Sequence, residues 1–597
     1  MPIYKAPVRD TKFVLNEVLN IEQYAALPGF SELTPDLLSA VLEEGAKLVE
    51  EVLQPLNQVG DEIGCTRNDD GSVTTPPGFK EAYDQFVAGG WAGLASDPEY
   101  GGQGLPHVIH TAFEEYAVSA NMSFNMYVGL TLGATAAITA VGSDEQKRRY
   151  IPPMVEGRWA GTMNLTEPHC GTDLGLLRTK AIAQEDGTYK ISGTKIFISA
   201  GEHDLSENII HLVLAKMSDS PDSVKGISLF VVPKMMINDD GSLGSQNAVS
   251  CGSIEEKMGI HGNATCVMNY DGAIGYLIGE KNKGMRAMFI MMNAARLLVG
   301  LQGLAQSEVA YQNGLVYAKE RLQGRSLSGP KNFEDKADPI IVHPDVRRML
   351  LNIKAFNEGA RALMLWGSLQ VDLSHSARTE EERQRADDLV GLMTPVIKGF
   401  FTDKGYENAT NAQQCLGGHG YIREWGMDQF VRDARIAMIY EGTNGIQALD
   451  LVGRKLALNG GRALKTYLGI VLTFLAQQSE EERMSEFTKK LQSAVDDLQA
   501  ATQWLMSNAV TRPDNAGAAS VPYLHLMGLV ALGHMWANIA RISMTALANG
   551  ASDPGFYETK LTTARYYFSH MLPETAIHRA RVEAGADNMM ELAAEAF

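Results

Sequence analysis

"YKISGTKIFISAG", residues 189–201, decides the fold. After the turn signal "EDG" (185–187) its residues alternate with a period of two, the mark of a half-buried strand. "IIHLVLAKM" (209–217) and "GISLFVVPK" (226–234) read as further strands. "EEKMGIHGNATCVMNYDGAIGYLIGE" (255–280) reads as short strands separated by turns, and "MINDDGSLGSQNAVSCGS" (236–253) as an interrupting loop. Residues 161–280 therefore form a compact β domain.

On both sides the period is that of a helix. "TPDLLSAVLEEGAKLVEEVLQPLNQVG" (34–60) opens with a Thr-Pro start and carries apolar residues at three- and four-residue steps. "FKEAYDQFVAGGWAGLA" and "HTAFEEYAVSANMSFNMYVGLTLGATAAITAVG" continue it around the Gly/Pro loop "SDPEYGGQGLP" (96–106), so residues 1–160 form an N-terminal helical domain. Residues 281–452 hold three long helices, one over 285–322, one over 346–373 and one near 381–414, which short connections pack as a bundle. Residues 453–597 form a C-terminal helical extension. The order helical, β, helical, helical is not the βαβ alternation of a Rossmann domain. No GxGxxG opens a helix after a strand and no GxxxxGK[ST] occurs, so a dinucleotide has to be held another way.

The composition sets bounds. At 597 residues, 45% apolar and 21% charged, the chain reads as a soluble globular protein with several cores. Its net charge of −19 argues against a general binder of nucleic acid or anionic membrane. The C-terminal block, 451–597, has 13 Lys and Arg against 14 Asp and Glu and is no basic tail. Five scattered cysteines without a CxxC pair predict a reducing, cytoplasmic setting with neither disulfide framework nor structural metal site. The first twenty residues have no apolar core of a signal peptide. No run of about 18 uncharged apolar residues predicts a transmembrane segment, and "GLVALGHMWANIARISMTALA" (528–548) reads as a buried helix.

"IAMIYEGTNGIQALD" (436–450) places one carboxylate, Glu441, between an apolar run and a Gly-Thr-Asn-Gly turn. A solvated loop residue is one reading. The other is a general base, because a dry site raises a carboxylate pKa toward the value such a base needs. The Gly417–Gly418 pair in "QCLGGHG" (414–420) allows close backbone approach to a phosphate or adenine, or else caps a helix. Arg321 in "ERLQGRS" suits a bidentate anion contact or a surface salt bridge. Arg296, on the apolar helix "MMNAARLLVG", needs an anionic partner, which is a ligand or an internal carboxylate. Met291 and Met292 line a pocket or fill the core, with core favoured, and His261 and His419 read as structural or surface residues.

Together, "DPEYGGQG" (97–104), "MNLTEPHCGTD" (163–173), "GTKIFISAG" (193–201), "ERLQGRS" (320–326) and "QCLGGHGYIREWGMDQFVRDARIAMIYEGTNGIQ" (414–447) resemble the acyl-CoA dehydrogenases in order and spacing. The resemblance covers residues from about 40 to 450. "MPIYKAPVRDTKFVLNEV" and "MFIMMNAARLLVG" point to a long-form subfamily that includes bacterial medium- and long-chain enzymes and 3-methylthiopropanoyl-CoA dehydrogenases.

The resemblance implies a mainly α fold with a central β-barrel between helical domains, plus the extra C-terminal helical domain. It implies FAD, α,β-desaturation of an acyl-CoA to the trans-2-enoyl-CoA, electron-transfer flavoprotein as acceptor, and a homodimer. The setting is fatty-acid β-oxidation or, for the thioether substrate, dimethylsulfoniopropionate degradation. Carried over residue by residue, Leu165 and Thr166 meet the flavin ring, and Thr172 the pyrophosphate. Phe197 stacks where the family commonly has Trp, and Ser199 stands for a flavin-contacting Thr. Arg321, Gln414, Gly417, Gly418 and Thr443 belong to the FAD site, and Arg296 and Gly442 to substrate binding. Glu441 is the implied base, taking the α-proton while the β-hydrogen leaves as hydride to flavin N5. The Glu441 N–H and a ribityl hydroxyl are the implied donors to the thioester carbonyl; donors of this kind contribute about 3 to 4 kcal/mol each.

An acyl-CoA oxidase that passes electrons to O₂ is the alternative within the enzyme class. A nucleic-acid-associated flavoprotein is the alternative outside it, and it needs a basic C-terminal surface that this sequence lacks. Acyl chain length, and the choice between a fatty and a thioether acyl group, stay open.

Overall fold

A computed structural model describes residues 2–597. Helices run to Val155, strands of one large sheet lie between Trp159 and Ile278, and helices resume at Gly284. By contact, the chain divides into two compact units that cut across this order. One comprises Glu44–Leu105 and Ala120–Leu298; the other comprises the chain up to Glu43, Pro106–Ser119 and Val299–Phe597.

The first unit is built on a seven-stranded sheet. Its strands are β1 (Trp159–Asn164), β2 (Lys180–Ala183), β3 (Tyr189–Ser199), β4 (Asn208–Met217), β5 (Ile227–Pro233), β6 (Val249–Ile254) and β7 (Thr265–Ile278). They run in the order β6-β7-β3-β2-β4-β1, with β5 pairing β7 and β4. Successive side chains point to opposite faces, so β4 serves two cores. Ile210, Leu212 and Leu214 pack on one side with Ala134, Ile138, Tyr150, Met154 and Met291. Val213 and Ala215 pack on the other with Ile191, Phe230, Tyr270 and Ala273.

The expected β-barrel is corrected here: the sheet does not close into one. β6 pairs only β7 and β1 pairs only β4, which leaves two free edges. β5 pairs β4 along its whole length but meets β7 over Tyr276–Ile278 alone, and β2 meets β4 only at Lys180 and Ala181. A barrel needs matched tilt and stagger around every strand. Two parallel pairings, β1–β4 and β2–β4, in an otherwise antiparallel sheet place strand ends out of that match.

Two local readings also change. Residues 236–253, expected as a loop, form a hairpin (Met235–Ile237 with Leu243–Gln246) and then β6. Asp240 caps its turn by accepting from Ser242 N and Oγ, with Gly241 at φ +83°. The short strands expected within 255–280 are one continuous β7 whose bulges, at Cys266/Met268 and Asp271/Ala273, absorb the breaks.

The second unit is helical. Pro344–Ser376, Glu380–Cys415 and Pro513–Ala548 are its long members. Glu380–Cys415 starts on a capping box between Thr379 and Glu382. Among the described residues three helices, Met122–Val141, Gly284–Glu320 and Pro513–Ala548, are long and apolar enough to cross a membrane; the last contains the stretch 528–548 read above as a buried helix. Their apolar windows are 56%, 56% and 67% buried within the fold.

Arg361 lies at the centre of the helical unit with its side chain 2% exposed. It donates to Glu115 at 2.6 and 2.9 Å, to Asp10 at 2.5 Å and to Glu308 at 3.1 Å. Lys560 pairs with Asp10 and, at 2.9 Å, with Glu358, which also binds Lys354. The network ties the N-terminal segment, three internal helices and the C-terminal block together. Burial works against ionised Asp10, but Lys560 and Arg361 outweigh it and hold its pKa at about 2. Burial dominates at Glu115 and lifts it to about 7 against the pull of Arg361.

Burial also keeps six histidines neutral: His107, His534 and His578 at about 4, and His110, His203 and His211 at about 3. A depressed histidine contributes stability above its unfolded value near 6.5 and loses it as pH falls toward the folded value. Glu115 and Asp372, both lifted to about 7 chiefly by burial, act in the opposite sense between pH 7 and 4. Burial also raises Glu202, and six groups outweigh three. The thermal midpoint is therefore expected to fall steadily from pH 6.5 to 4, since each excess proton on the unfolded chain costs about 1.4 kcal/mol per pH unit. Calorimetry across that range checks the sign, and a midpoint that rises on acidification contradicts it.

Candidate active site

Glu441 sits in a strained turn. Helix Met427–Ile436 ends just before it, and Asn444–Asp450 begins just after. Glu441 has φ +57° and Gly442 φ +85°. The left-handed region costs a non-glycine residue about 1–2 kcal/mol, so the surroundings must impose it. They do. The Gln447 side chain donates to the carbonyls of Glu441 at 3.1 Å and Gly442 at 3.2 Å. Asn444 N donates to Met438 O at 3.1 Å and closes the loop. Thr443 caps the following helix, accepting from Ile446 N at 3.4 Å. Tyr440 donates its hydroxyl to the Gln302 side chain; burial pushes the Tyr440 pKa far up, and the Glu441 charge adds to it. Glu441 itself is half-buried.

The residues expected around the flavin ring lie in the sheet unit. Leu165 and Thr166 follow β1, and Thr166 O accepts from Ile196 N at 2.9 Å. That bond diverts β3 from β7 where the ladder register shifts between Cys266 and Met268. The bulge turns Phe197 out at φ +61° and 59% exposure, an apolar ring offered to whatever lies over it. Ser199 is half-buried and Thr172 exposed.

A buried ion pair braces this loop. Lys195 Nζ donates to Leu165 O at 3.0 Å and to Glu167 Oε1 at 2.9 Å. Glu167 also accepts from Arg178 N, Thr179 N and Thr179 Oγ1. Burial draws Lys195 down to about 8 although Glu167 pulls it up. Both residues lie within the motifs 163–173 and 193–201, yet neither has a role legible there beyond one signal, a lysine at an inward position of an alternating strand. Lys195→Met leaves Glu167 its three other donors, so the expected cost is about 3 kcal/mol, the lower end for a broken buried pair. A lower thermal midpoint and a lower flavin-to-protein ratio are the readouts.

The remaining predicted residues are spread over helix ends. Arg321 is exposed where Gly284–Glu320 ends, and Gln414 is exposed near the end of Glu380–Cys415. Gly417, at φ +55°, and Gly418 have no atom within 4 Å of where a Cβ would stand. Arg296 is 7% exposed on Gly284–Glu320. His419 is structural, stacked on Trp425 at 4.7 Å and bonded to Tyr317 at 2.9 Å. His261 binds Asp61 and Lys257 O. Met291 is core. In the sheet unit the exposed face of Phe197 suits an aromatic ring such as that of a flavin; in the helical unit the open backbone at Gly417 and Gly418 and the exposed Arg321 suit a phosphate group such as FAD carries.

The comparisons with known proteins give the family. The model described as acyl-CoA dehydrogenase, N-terminal domain, matches residues 46–158, the middle domain 162–273 and the C-terminal domain 282–456. A further one, acetyl-CoA dehydrogenase C-terminal like, matches 468–593. The chain belongs to the acyl-CoA dehydrogenase family: it is an FAD-dependent oxidoreductase that converts an acyl-CoA to the trans-2-enoyl-CoA. It is 43% identical to 3-methylmercaptopropionyl-CoA dehydrogenase of Ruegeria pomeroyi over 98% of this chain and 99% of the relative. Butyryl-CoA dehydrogenase of Syntrophomonas wolfei is 33% identical over 100% of this chain and 99% of its own. The Caenorhabditis elegans ACDH-11 structure in complex with C11-CoA shares the fold, with TM-score 0.78 at 17% identity, covering 99% of this chain and 96% of that one.

Proposed function

We propose that Glu441 is the base of this dehydrogenase and that its substrate is a short thioether acyl-CoA, 3-methylthiopropanoyl-CoA. The observation behind the base is the strained turn: a carboxylate held at positive φ by a glutamine clamp and a closed loop. The full-length similarity to the Ruegeria pomeroyi enzyme supports the substrate. Glu441 accepts the α-proton, and the C–H electron pair left behind becomes the new double bond as the β-hydrogen departs with its own pair. The Glu441 N–H donates to the thioester carbonyl and stabilises the charge that develops there. When bound, FAD supplies the hydride-accepting N5 and a ribityl hydroxyl as second donor to that carbonyl.

Leu165, Thr166, Thr172, Phe197, Ser199, Arg321, Gln414, Gly417, Gly418 and Thr443 hold the cofactor in this reading. Arg296 and Gly442 contact the acyl-CoA. The four matched segments are read as four domains, at 1–160, 161–280, 281–452 and 453–597. The enzyme works as a homodimer, passes electrons to electron-transfer flavoprotein and is cytoplasmic; the five free cysteines support a reducing compartment. A straight short chain is the second reading for the substrate, favoured by the butyryl-CoA relative.

Anaerobic titration with 3-methylthiopropanoyl-CoA and acyl-CoAs of graded length, followed at the oxidised flavin band, tests both. Tightest bleaching by the thioether supports the first substrate, and tightest bleaching by butyryl-CoA replaces it. Oxygen consumption during turnover, without need of the flavoprotein acceptor, identifies an oxidase.

A further inference from the structure

The turn that carries Glu441 is the end of a hydrogen-bonded chain that begins in the C-terminal helical block. His525, on Pro513–Ala548, donates from Nε2 to Asp403 Oδ2 at 2.8 Å. The other oxygen of that carboxylate, Oδ1, accepts from Asn444 Nδ2 at 2.6 Å. Asn444 Oδ1 accepts from Lys398 Nζ at 2.8 Å, and Asn444 N closes the Glu441 loop on Met438 O. All these groups belong to the helical unit.

The chemistry of the chain gives it one arrangement. A lysine ammonium only donates and a carboxylate only accepts, so Lys398 and Asp403 on opposite sides fix which way the Asn444 amide faces, and Nδ2 also meets Thr402 Oγ1 at 2.9 Å and Gly399 O at 3.1 Å. The Asp403 carboxylate remains free to turn about its own bond unless its second oxygen is also held. His525 holds it. The histidine ring is in turn fixed, edge-on to Phe400 at 5.4 Å and stacked on His578 at 5.4 Å. Asn444–Asp450 also packs directly on Pro513–Ala548.

We propose that His525 is a positioning residue for proton abstraction: through Asp403 and Asn444 it locks the strained turn that presents Glu441, and this is a task of the C-terminal extension. The inference rests on Glu441 being the base. Small displacements of a reacting group lower rates steeply, so loss of the lock shows in the chemical step before it shows in binding.

The test compares His525→Phe, which keeps the stacked ring but has no donor, with His525→Gln, whose amide N–H can stand in for Nε2–H. FAD-loaded enzyme is mixed anaerobically with saturating 3-methylthiopropanoyl-CoA or butyryl-CoA, whichever bleaches the wild-type flavin. The expected result is a bleaching rate about tenfold lower for His525→Phe, with unchanged substrate dissociation constant and flavin content, and recovery to within about twofold in His525→Gln. A wild-type rate in His525→Phe, or a Gln variant as slow as the Phe variant, overturns the proposal. If His525→Phe does not fold, Asp403→Asn reads the same split, and a wild-type rate there overturns it too. Glu441→Gln is run alongside. If it bleaches at the wild-type rate, the base assignment fails and takes this inference with it; if it is inert while His525→Phe keeps pace, the base stands and only the lock falls.

Discussion

Glu441→Gln is expected to keep FAD and the fold while slowing flavin bleaching by acyl-CoA about 10⁴-fold, the upper range for loss of a general base. Glutamine has the shape of glutamate, and the clamp on this turn binds backbone. Gln447 grips the carbonyls of residues 441 and 442, and Asn444 N closes on Met438 O. Neither contact depends on the carboxylate. The φ of +57° costs glutamine no more than glutamate, so stability is expected to stay within about 0.5 kcal/mol. The lost function is proton acceptance alone: an amide cannot take the α-proton, and without its removal the β-hydrogen cannot leave as hydride. Rapid mixing under anaerobic conditions gives the rate, and the oxidised flavin band of the purified variant gives the cofactor content. A variant that retains flavin and bleaches at more than about a tenth of the wild-type rate contradicts the assignment.

The largest stability effect is expected at Arg361, which has no part in the proposed site. Arg361→Met removes the one guanidinium shared by Glu115, Asp10 and Glu308. Asp10 keeps Lys560, and Glu308 keeps the Asn357 amide at 2.9 Å. Glu115 is left in the core without a cation. Breaking one buried pair costs about 3–5 kcal/mol because the surviving charge remains desolvated. With three carboxylates affected, the expected loss is about 5 kcal/mol, a large share of the 5–15 kcal/mol that typically holds a protein folded. Denaturant unfolding measures it. The double variant Arg361→Met/Glu115→Met is the discriminating control. It removes both ends of the closest pair and is expected to recover part of the loss, whereas purely steric damage at Arg361 would leave it additive.

These two sites differ in how far they could be read from sequence. Glu441 was legible because its surroundings are local: the turn residues, the helix start at Thr443 and the clamp at Gln447 all fall within seven positions of it. Even so, Asn444 reads in the sequence only as part of the Gly-Thr-Asn-Gly turn, and nothing there marks Gln447. Their roles depend on where their amides point. Arg361 was not legible at all. Its partner Glu115 stands 246 positions away and Asp10 351, and nothing in the neighbouring residues marks either as the recipient. The Glu167–Lys195 pair is intermediate, with the residues in the motifs 163–173 and 193–201 and the contact spanning 28 positions.

What the sequence by itself determined is the order of helical and β segments, the helix start at Thr34, and the Glu441 turn. Periodicity and capping are properties of consecutive residues, and they settle which face of an element is apolar and where it begins. What only the tertiary structure decided is which elements become neighbours. The alternation in β3 holds whether its sheet closes or, as found, ends on the free edges of β6 and β1. The apolar helices Met122–Val141 and Pro513–Ala548 would have the same pattern in a bilayer or in a core. His525 reaches Asp403 across 122 positions. Closure, burial and long-range charge pairing are set by the free energy of whole elements packing together, and no local stretch of chain carries that information.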